Sequence, residues 1–271
     1  MKGQNPKNGQ GFVFGQWQGG NSQELLRHYV LGTLKEYGGP FIRSSHSVNY
    51  LESHDDHTMG DFIRLGTGEV KEEQVLGDVA ANARLSPKQT ALNKLGALFL
   101  FTSRGAVMLH SGQEYARSKV IAPTEVPESR IGRIDHNSYN KDNETNWINY
   151  RNAVMNRDLV DYYRGLISIR KQYGAFRDSG ADAVHFLSTR FPFCIAYRLD
   201  QPGSKESEIL VALNGSADAP CSIALPAGKW AVIADGNKAG IEKIQSGLSE
   251  EVIIPPSSGM VLIREMLIRE R

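Results

Sequence analysis

The sequence predicts an α/β unit with parallel strands over residues 1–179, followed by an all-β antiparallel sandwich over residues 180–271. Three observations carry this. First, the helix-patterned stretch "KQTALNKLGALFLFTS" (88–103) runs directly into "GAVMLHSG", a continuous apolar run closed by Ser-Gly, as a strand buried on both faces reads. Second, residues 47–53 read as an earlier short strand, giving the strand–helix–strand order of a parallel sheet with polar loops after each strand. Third, after Gly180 the pattern changes to short β-prone runs separated by turn residues, as in an antiparallel sandwich.

The elements follow in order. The start, "MKGQNPKNGQGFVFGQ", is polar and Gly-rich, has no apolar leader region, and reads as a cut edge. Residues 21–38 predict a helix capped by Asn21 or Ser22, with Leu25, Leu26, Tyr29, Val30 and Leu34 on its apolar face and Gly38-Gly39-Pro40 as its stop. A polar stretch after the 47–53 strand predicts a loop and a short helix before the helix at 88–103. The loop at 120–150 is rich in Asn, Asp and Pro, and "RDLVDYYRGLISIRKQY" (157–173) predicts an amphipathic helix. The domain boundary falls near 178–182. The sandwich strands are expected at "VHFLS", "FCIAYRL", "EILVALN", "CSIAL", "KWAVIAD" and "GMVLIRE". Two parallel strands do not make a stable sheet. Either further strands hide in the first fifty residues, or the chain is the back half of a larger barrel.

Composition narrows the partners. Basic and acidic residues number 31 and 30, and no basic run appears, so neither nucleic acid nor a membrane surface is an expected partner. No apolar run reaches membrane-spanning length. Cys194 and Cys221 sit in apolar runs far apart and read as buried free thiols in preference to a disulfide; they leave the compartment open.

The densest chemistry is "SVNYLESHDDHTMGDF" (47–62), where His54, Asp55, Asp56 and His57 are consecutive. On a strand, His54 and Asp56 would share one side and Asp55 and His57 the other. A metal needs about three or four protein ligands. The nearest other histidine, His46, lies at the far end of the strand, so no metal site is expected. A small metal-dependent hydrolase is the reading this disfavours. A carboxylate at a parallel strand's end, beside a histidine that can bond sugar hydroxyls, suits glycoside hydrolysis. A solvated turn whose acids cap the next helix is the competing reading.

"VNYLESHDDHTMGDFIRL" resembles the fourth conserved region of glycoside hydrolase family 13, the alpha-amylase clan, in its pullulanase, isoamylase and glycogen-debranching form. "GAVMLHSGQEYARSK" is similar to that family's strand-eight segment, "HNSYNKDNETNWINY" to the following loop, and "PPSSGMVLI" to the last strand of its C-terminal sandwich. The resemblance implies the C-terminal portion of a (β/α)8 TIM barrel followed by a β-sandwich, and a retaining hydrolase of α-glucans that needs no cofactor. It implies that Asp55 is the third catalytic acid, which contacts sugar hydroxyls and stabilises the transition state, with His54 as its hydrogen-bonding neighbour. Asp56 stands where the family usually has Asn. Tyr139, Asn140, Asp142 and Asn146 match positions lining the donor-side sugar subsites. His57 is expected to face solvent, Trp147 to be core, and Glu114 to be a buried acid paired with Arg117 or backbone. The family's nucleophile and general acid precede strand seven, and no stretch here resembles either; "GFVFGQWQGG" looks like the segment after strand six. The chain therefore reads as part of such an enzyme, inactive alone, with an α-glucan and the N-terminal barrel half as partners. The rival is a non-catalytic glucan-binding or structural module, although Trp230 is the sandwich's one tryptophan.

Overall fold

The structure, a computed structural model, describes residues 1–17, 22–125, 129–177, 180–200 and 208–265. Helix α1 (Gln23–Val30) starts at Ser22, whose hydroxyl accepts the Leu25 N–H. It stops well short of the predicted Gly38. Gly32 and Thr33 adopt φ of 85° and 53°, so the chain turns left-handed directly after the helix. Leu26, Val30 and Leu34 are buried as its pattern implies. Asn21, the other candidate cap, and the boundary residues Asp178 and Ser179 lie outside the described residues.

Strand β1 (Val48–Asn49) is followed by α2 (Met59–Thr67), α3 (Val79–Ala83), α4 (Pro87–Thr102) and β2 (Ala106–Val107). β1 and β2 pair in parallel, with Val48 opposite Ala106 and Asn49 opposite Val107. Both strands are two residues long, shorter than the apolar runs predicted. A parallel strand is held by neighbours on both sides; here each has one partner among the described residues, and Val48, Tyr50 and Met108 stay exposed. Helix α4 begins with a full capping box. Ser86 accepts the Gln89 N–H while the Gln89 side chain accepts the Ser86 N–H, and Pro87 occupies the first turn.

Helices α5 (Arg151–Met155) and α6 (Arg157–Gln172) come next, and α6 buries Leu159, Tyr162, Tyr163, Leu166 and Ile169 on one side, the predicted apolar face. The chain then forms β3 (Val184–Leu187), β4 (Cys194–Asp200), β5 (Glu208–Asn214), β6 (Cys221–Ala224), β7 (Trp230–Ala234), β8 (Gln245–Leu248), β9 (Glu251–Ile254) and β10 (Ser258–Arg264). Six strands make an antiparallel sheet in the order β3-β4-β5-β10-β7-β8; β6 and β9 make a second, two-stranded sheet.

The large sheet is covered on both faces. Ile195, Tyr197, Val211, Leu213 and Val261 join Leu95, Leu98 and Phe101 of α4 and Tyr163 of α6 in one core. The alternate residues Cys194, Ala196, Leu210, Ala212 and Leu262 pack with Ile223, Val252 and Ile254 of the small sheet in another. The two-residue alternation of a strand thus sorts one apolar run into two cores. The Tyr197 hydroxyl donates to the Thr102 carbonyl at 3.1 Å and ties sheet to helix. At Gly165 α6 approaches the sandwich so closely that a Cβ would lie 1.8 Å from the Ala239 carbonyl oxygen.

Cys194 of β4 and Cys221 of β6 form a disulfide, with Cα atoms 6.3 Å apart. The free-thiol expectation is therefore corrected. Each cysteine sits in a strand of a different sheet, both point into the same interior, and the two runs meet although 27 residues separate them. Closing a loop of that length restricts the unfolded chain by roughly 3–4 kcal/mol. The Cys194→Ala/Cys221→Ala pair is expected to lower unfolding free energy by about 3 kcal/mol in urea titrations, and alkylation of the unreduced, denatured protein should label no cysteine. Labelling of two thiols would refute the bridge.

Candidate functional site

The site is built where β1 ends. Glu52 is buried and works in two directions: its carboxylate accepts the Met59 N–H at the start of α2, and its Oε1 lies 3.1 Å from His110 Nδ1, just beyond β2. A carboxylate at a helix N-terminus is favourably placed against the unpaired N–H groups there. Both strand ends are thereby tied to one side chain.

Residues 53–57 form a turn, not a strand. Ser53 Oγ accepts the Asp55 N–H at 3.3 Å, and Asp56 has φ of 56°. The strand-face pairing of His54 with Asp56 expected from alternation therefore does not apply. The turn is held through its backbone. The buried Lys119 ammonium donates to the carbonyls of Asp56 (2.7 Å) and His54 (3.4 Å), and Lys2 donates to the carbonyl of His57 (3.3 Å). Burial pushes the Lys119 ammonium below its ordinary value, against the opposing pull of Asp61.

Thr58 closes the turn. Its hydroxyl accepts the Asp61 N–H at 3.0 Å and donates to the Arg117 carbonyl at 2.7 Å. Fully buried Asp61 accepts the Lys119 N–H at 2.7 Å and pairs with Arg64 at 3.3 Å. Arg64 spends its other N–H groups on the carbonyls of Asn82, Ala83 and Ala116. The segment 116–119, α2 and the end of α3 are locked together, and the backbone of the HDDH turn hangs from the lock.

The side chains it presents are open. Those of His54 and Asp55 are 72% and 56% exposed, with Nε2 and Oδ2 3.4 Å apart. Asp55, Asp56, Glu52, Ser53 and Tyr50 line a groove of about 800 Å³ that runs along the free side of β1. Asp56 pairs with His136 at 3.3 Å, a partner that the sequence did not suggest. His57, expected in solvent, is buried beneath the turn with its ring edge-on to His136, 5.0 Å between centroids. Burial lowers its pKa, as do His136, Lys2 and Lys119, while Asp61 opposes them.

The loop after β2 meets the turn through His136, and the Asp135 N–H beside it donates to the carbonyl of Lys119, the residue that supports the turn, at 2.8 Å. Tyr139, Asn140 and Asp142 stand exposed on it and do not line the groove. Asn146 is bonded within its own loop: Oδ1 accepts the Ser138 hydroxyl at 2.6 Å, and Nδ2 donates to the carbonyls of Ser138 and Lys141. Glu114 is half-buried and accepts the Gly112 N–H at 3.0 Å, so its partner is backbone. Trp147, expected in the core, is 64% exposed. Among the described residues no three of His, Cys, Asp and Glu converge as metal ligands would.

Sequence reasoning missed Glu52, His110, Lys119 and His136. Glu52 is a polar break in an apolar run and His110 ends the next one, signals of a pair at adjacent strand ends. Lys119 lies inside the quoted "ARSK" stretch without an assigned contact.

A family model described as the all-beta domain of pullulanase matches residues 182–238. The chain is 28% identical over 194 residues to a pullulanase of Bacillus subtilis strain 168, covering 70% of this chain and 23% of that protein. Among solved structures, a pullulanase from Bacillus acidopullulyticus superposes with a TM-score of 0.74 at 23% identity, covering 94% of this chain and 28% of that one. The pullulanase SAP of Group B Streptococcus, in complex with maltotetraose, does so with a TM-score of 0.69 at 20% identity, covering 94% and 36%. The chain thus spans less than a quarter of the length of the Bacillus subtilis relative.

Two outcomes follow from this geometry. Lys119→Met removes the donor to two turn carbonyls and a cation beside Asp61; unfolding in urea should show a loss of about 3 kcal/mol. Limited proteolysis should begin to cut at residues 53–57, and an unchanged cleavage pattern would exclude Lys119 as the turn's support. The second concerns pH. His57 has a folded pKa below its ordinary 6.5, so the unfolded chain binds a proton there that the native chain does not. Stability should fall as pH drops through 6.5 toward the folded value and level off below it. Melting temperature of His57→Gln should lose that part of the slope; an unaltered slope would place the titration elsewhere.

Proposed function

This chain is a relative of the pullulanase-type enzymes of glycoside hydrolase family 13, and we propose that it forms part of a retaining glycosidase that cleaves α-glucans such as pullulan, glycogen and starch, chiefly at α-1,6 linkages. The observation that carries this is the Asp55–His54 pair. Both side chains are open to solvent on a turn whose backbone is fixed from below, and Asp55 lines the groove with His54 beside it. An ionised carboxylate held there can accept hydrogen bonds from sugar hydroxyls. Those bonds strengthen as the ring flattens toward an oxocarbenium ion, and a rigid support keeps the gain from being lost to rearrangement. His54, 3.4 Å away, supplies a donor to an adjacent hydroxyl.

In this reading residues 1–179 are the C-terminal part of a (β/α)8 barrel and 180–271 its β-sandwich. The parallel pair β1–β2, with exposed Val48, Tyr50 and Met108, supports further strands alongside; the pullulanase all-beta match at 182–238 supports the second domain. Asp55 is one of three carboxylates, and the nucleophile and general acid come from outside this sequence. Tyr139, Asn140 and Asp142 reach sugar from the loop, Asp56 borders the groove, and Asn146 shapes the loop they stand on. The binding-module alternative is weaker because Trp230, the sandwich's tryptophan, is fully buried and offers no ring to a sugar.

The chain alone should release no reducing ends from pullulan. Joined to a barrel half that carries the two missing acids, it should hydrolyse pullulan, and Asp55→Asn should lower kcat by roughly 10²–10³-fold. Turnover by the chain alone, abolished by Asp55→Asn, would overturn this division of labour.

A further inference from the structure

The segment that supports the HDDH turn through Lys119 also contributes Arg117 and Ser118 to a second cavity, of about 450 Å³, which shares no lining residue with the Asp55 groove. Val79, Ile131 and Trp147 are among its apolar lining residues, and Asn149 and Asn152 among its polar ones. Two features mark it as built for a ligand. Trp147 lines the cavity and leaves 64% of its surface exposed. An exposed indole at a concave site of this size is typical of a binding site. Arg117 is 7% exposed, yet its Nε has no hydrogen-bond partner among the described residues. A buried donor left unpaired is costly and calls for an acceptor.

The chemistry narrows the occupant. Glu144 lines the same cavity as Arg117, which disfavours an anion. A planar ring, two amides and a guanidinium match a neutral polyhydroxylated ring, whose C–H face stacks on indole while its hydroxyls take the polar groups. We propose that this cavity is a second α-glucan site, with Trp147 as the stacking platform and Arg117, Asn149 and Asn152 as hydroxyl partners. The proposal rests on the α-glucan reading above for its choice of sugar.

Calorimetry and tryptophan fluorescence with maltotetraose test it on the chain itself, because Trp230 is fully buried and Trp17 half-buried, which leaves Trp147 the most exposed of the three tryptophans. Maltotetraose should bind and alter the fluorescence. Trp147→Ala should weaken that binding by about tenfold or more, Trp147→Phe should largely restore it, and Asp55→Asn should leave the tryptophan fluorescence change intact whatever it does in the groove. Trp147 is a surface residue, so an unchanged unfolding midpoint will verify that the variants fold. Maltotetraose binding that ignores Trp147→Ala and vanishes with Asp55→Asn would overturn the second site while upholding the groove. Equal binding of cellotetraose would overturn the α-glucan assignment. No binding by the wild type would overturn the site and weaken the glycosidase reading as well. A dimer in sedimentation that Trp147→Ala dissociates, without sugar binding, would give the patch to a second copy of the chain and overturn the proposal.

Discussion

One buried cluster of charge determines where everything else in the site can be. Asp61, Arg64 and Lys119 are each 0–1% exposed, on two separate stretches of chain. Such a group is tolerable in an interior only when each charge is paired and its remaining donors and acceptors are met. That demand is met by backbone: Arg64 takes the carbonyls of Asn82, Ala83 and Ala116, and Lys119 takes those of His54 and Asp56. The charges therefore fix the end of α3 together with two stretches, 54–56 and 116–119, that have no long regular element of their own. The HDDH turn borrows its rigidity from this cluster, and the second cavity shares the 116–119 segment through Arg117 and Ser118.

The sandwich provides rigidity of a different sort. A sheet covered on both faces has no solvent side, so β4, β5 and β7 are apolar almost continuously. One face rests on α4 and α6, the other on the small sheet, and the disulfide joins the two sheets across the second core. Because α4 sits between the sheet on one side and α2 on the other, it is buried nearly all round along Leu92–Thr102. The site is thus anchored to the sandwich through a helix with no free face.

These facts explain what the sequence made legible. Strands β3 to β7 and β10 were readable because turn residues punctuate apolar runs; β8, "QSGL", carries Gly and exposed polar residues and gave no such signal. Helix α6 was readable from its stripe and α4 from the helix-patterned run at 88–103. α2 was not: its polar positions, Asp61 and Arg64, read as a solvated face, whereas they are buried as an ion pair; its trace was Thr58 with Asp61 three residues on. The cysteines were misread because pairing across two sheets depends on topology, which local apolar context does not encode. Trp147 was misplaced for a related reason, since an apolar neighbour in sequence says little about exposure in a loop. Asp55 and His54 stood out, whereas their supports at Glu52, Lys119 and His136 lie up to 84 positions apart and become a site only once folded.

The position where the family pattern and this sequence part company has a physical account. Asp56 stands where the resemblance leads one to expect Asn, and its φ is 56°. Left-handed backbone is accessible to Asn and Asp alike, whose short polar side chains can bond locally, and is unfavourable for branched or bulky residues. The turn therefore keeps its shape with either residue, and its carbonyl still reaches Lys119 at 2.7 Å. What changes is charge: a second carboxylate beside Asp55 adds repulsion at the mouth of the groove. His136, 3.3 Å from the Asp56 carboxylate, is placed to offset it when protonated. The contact of Asp56 with His136 also ties the loop after β2 to the turn.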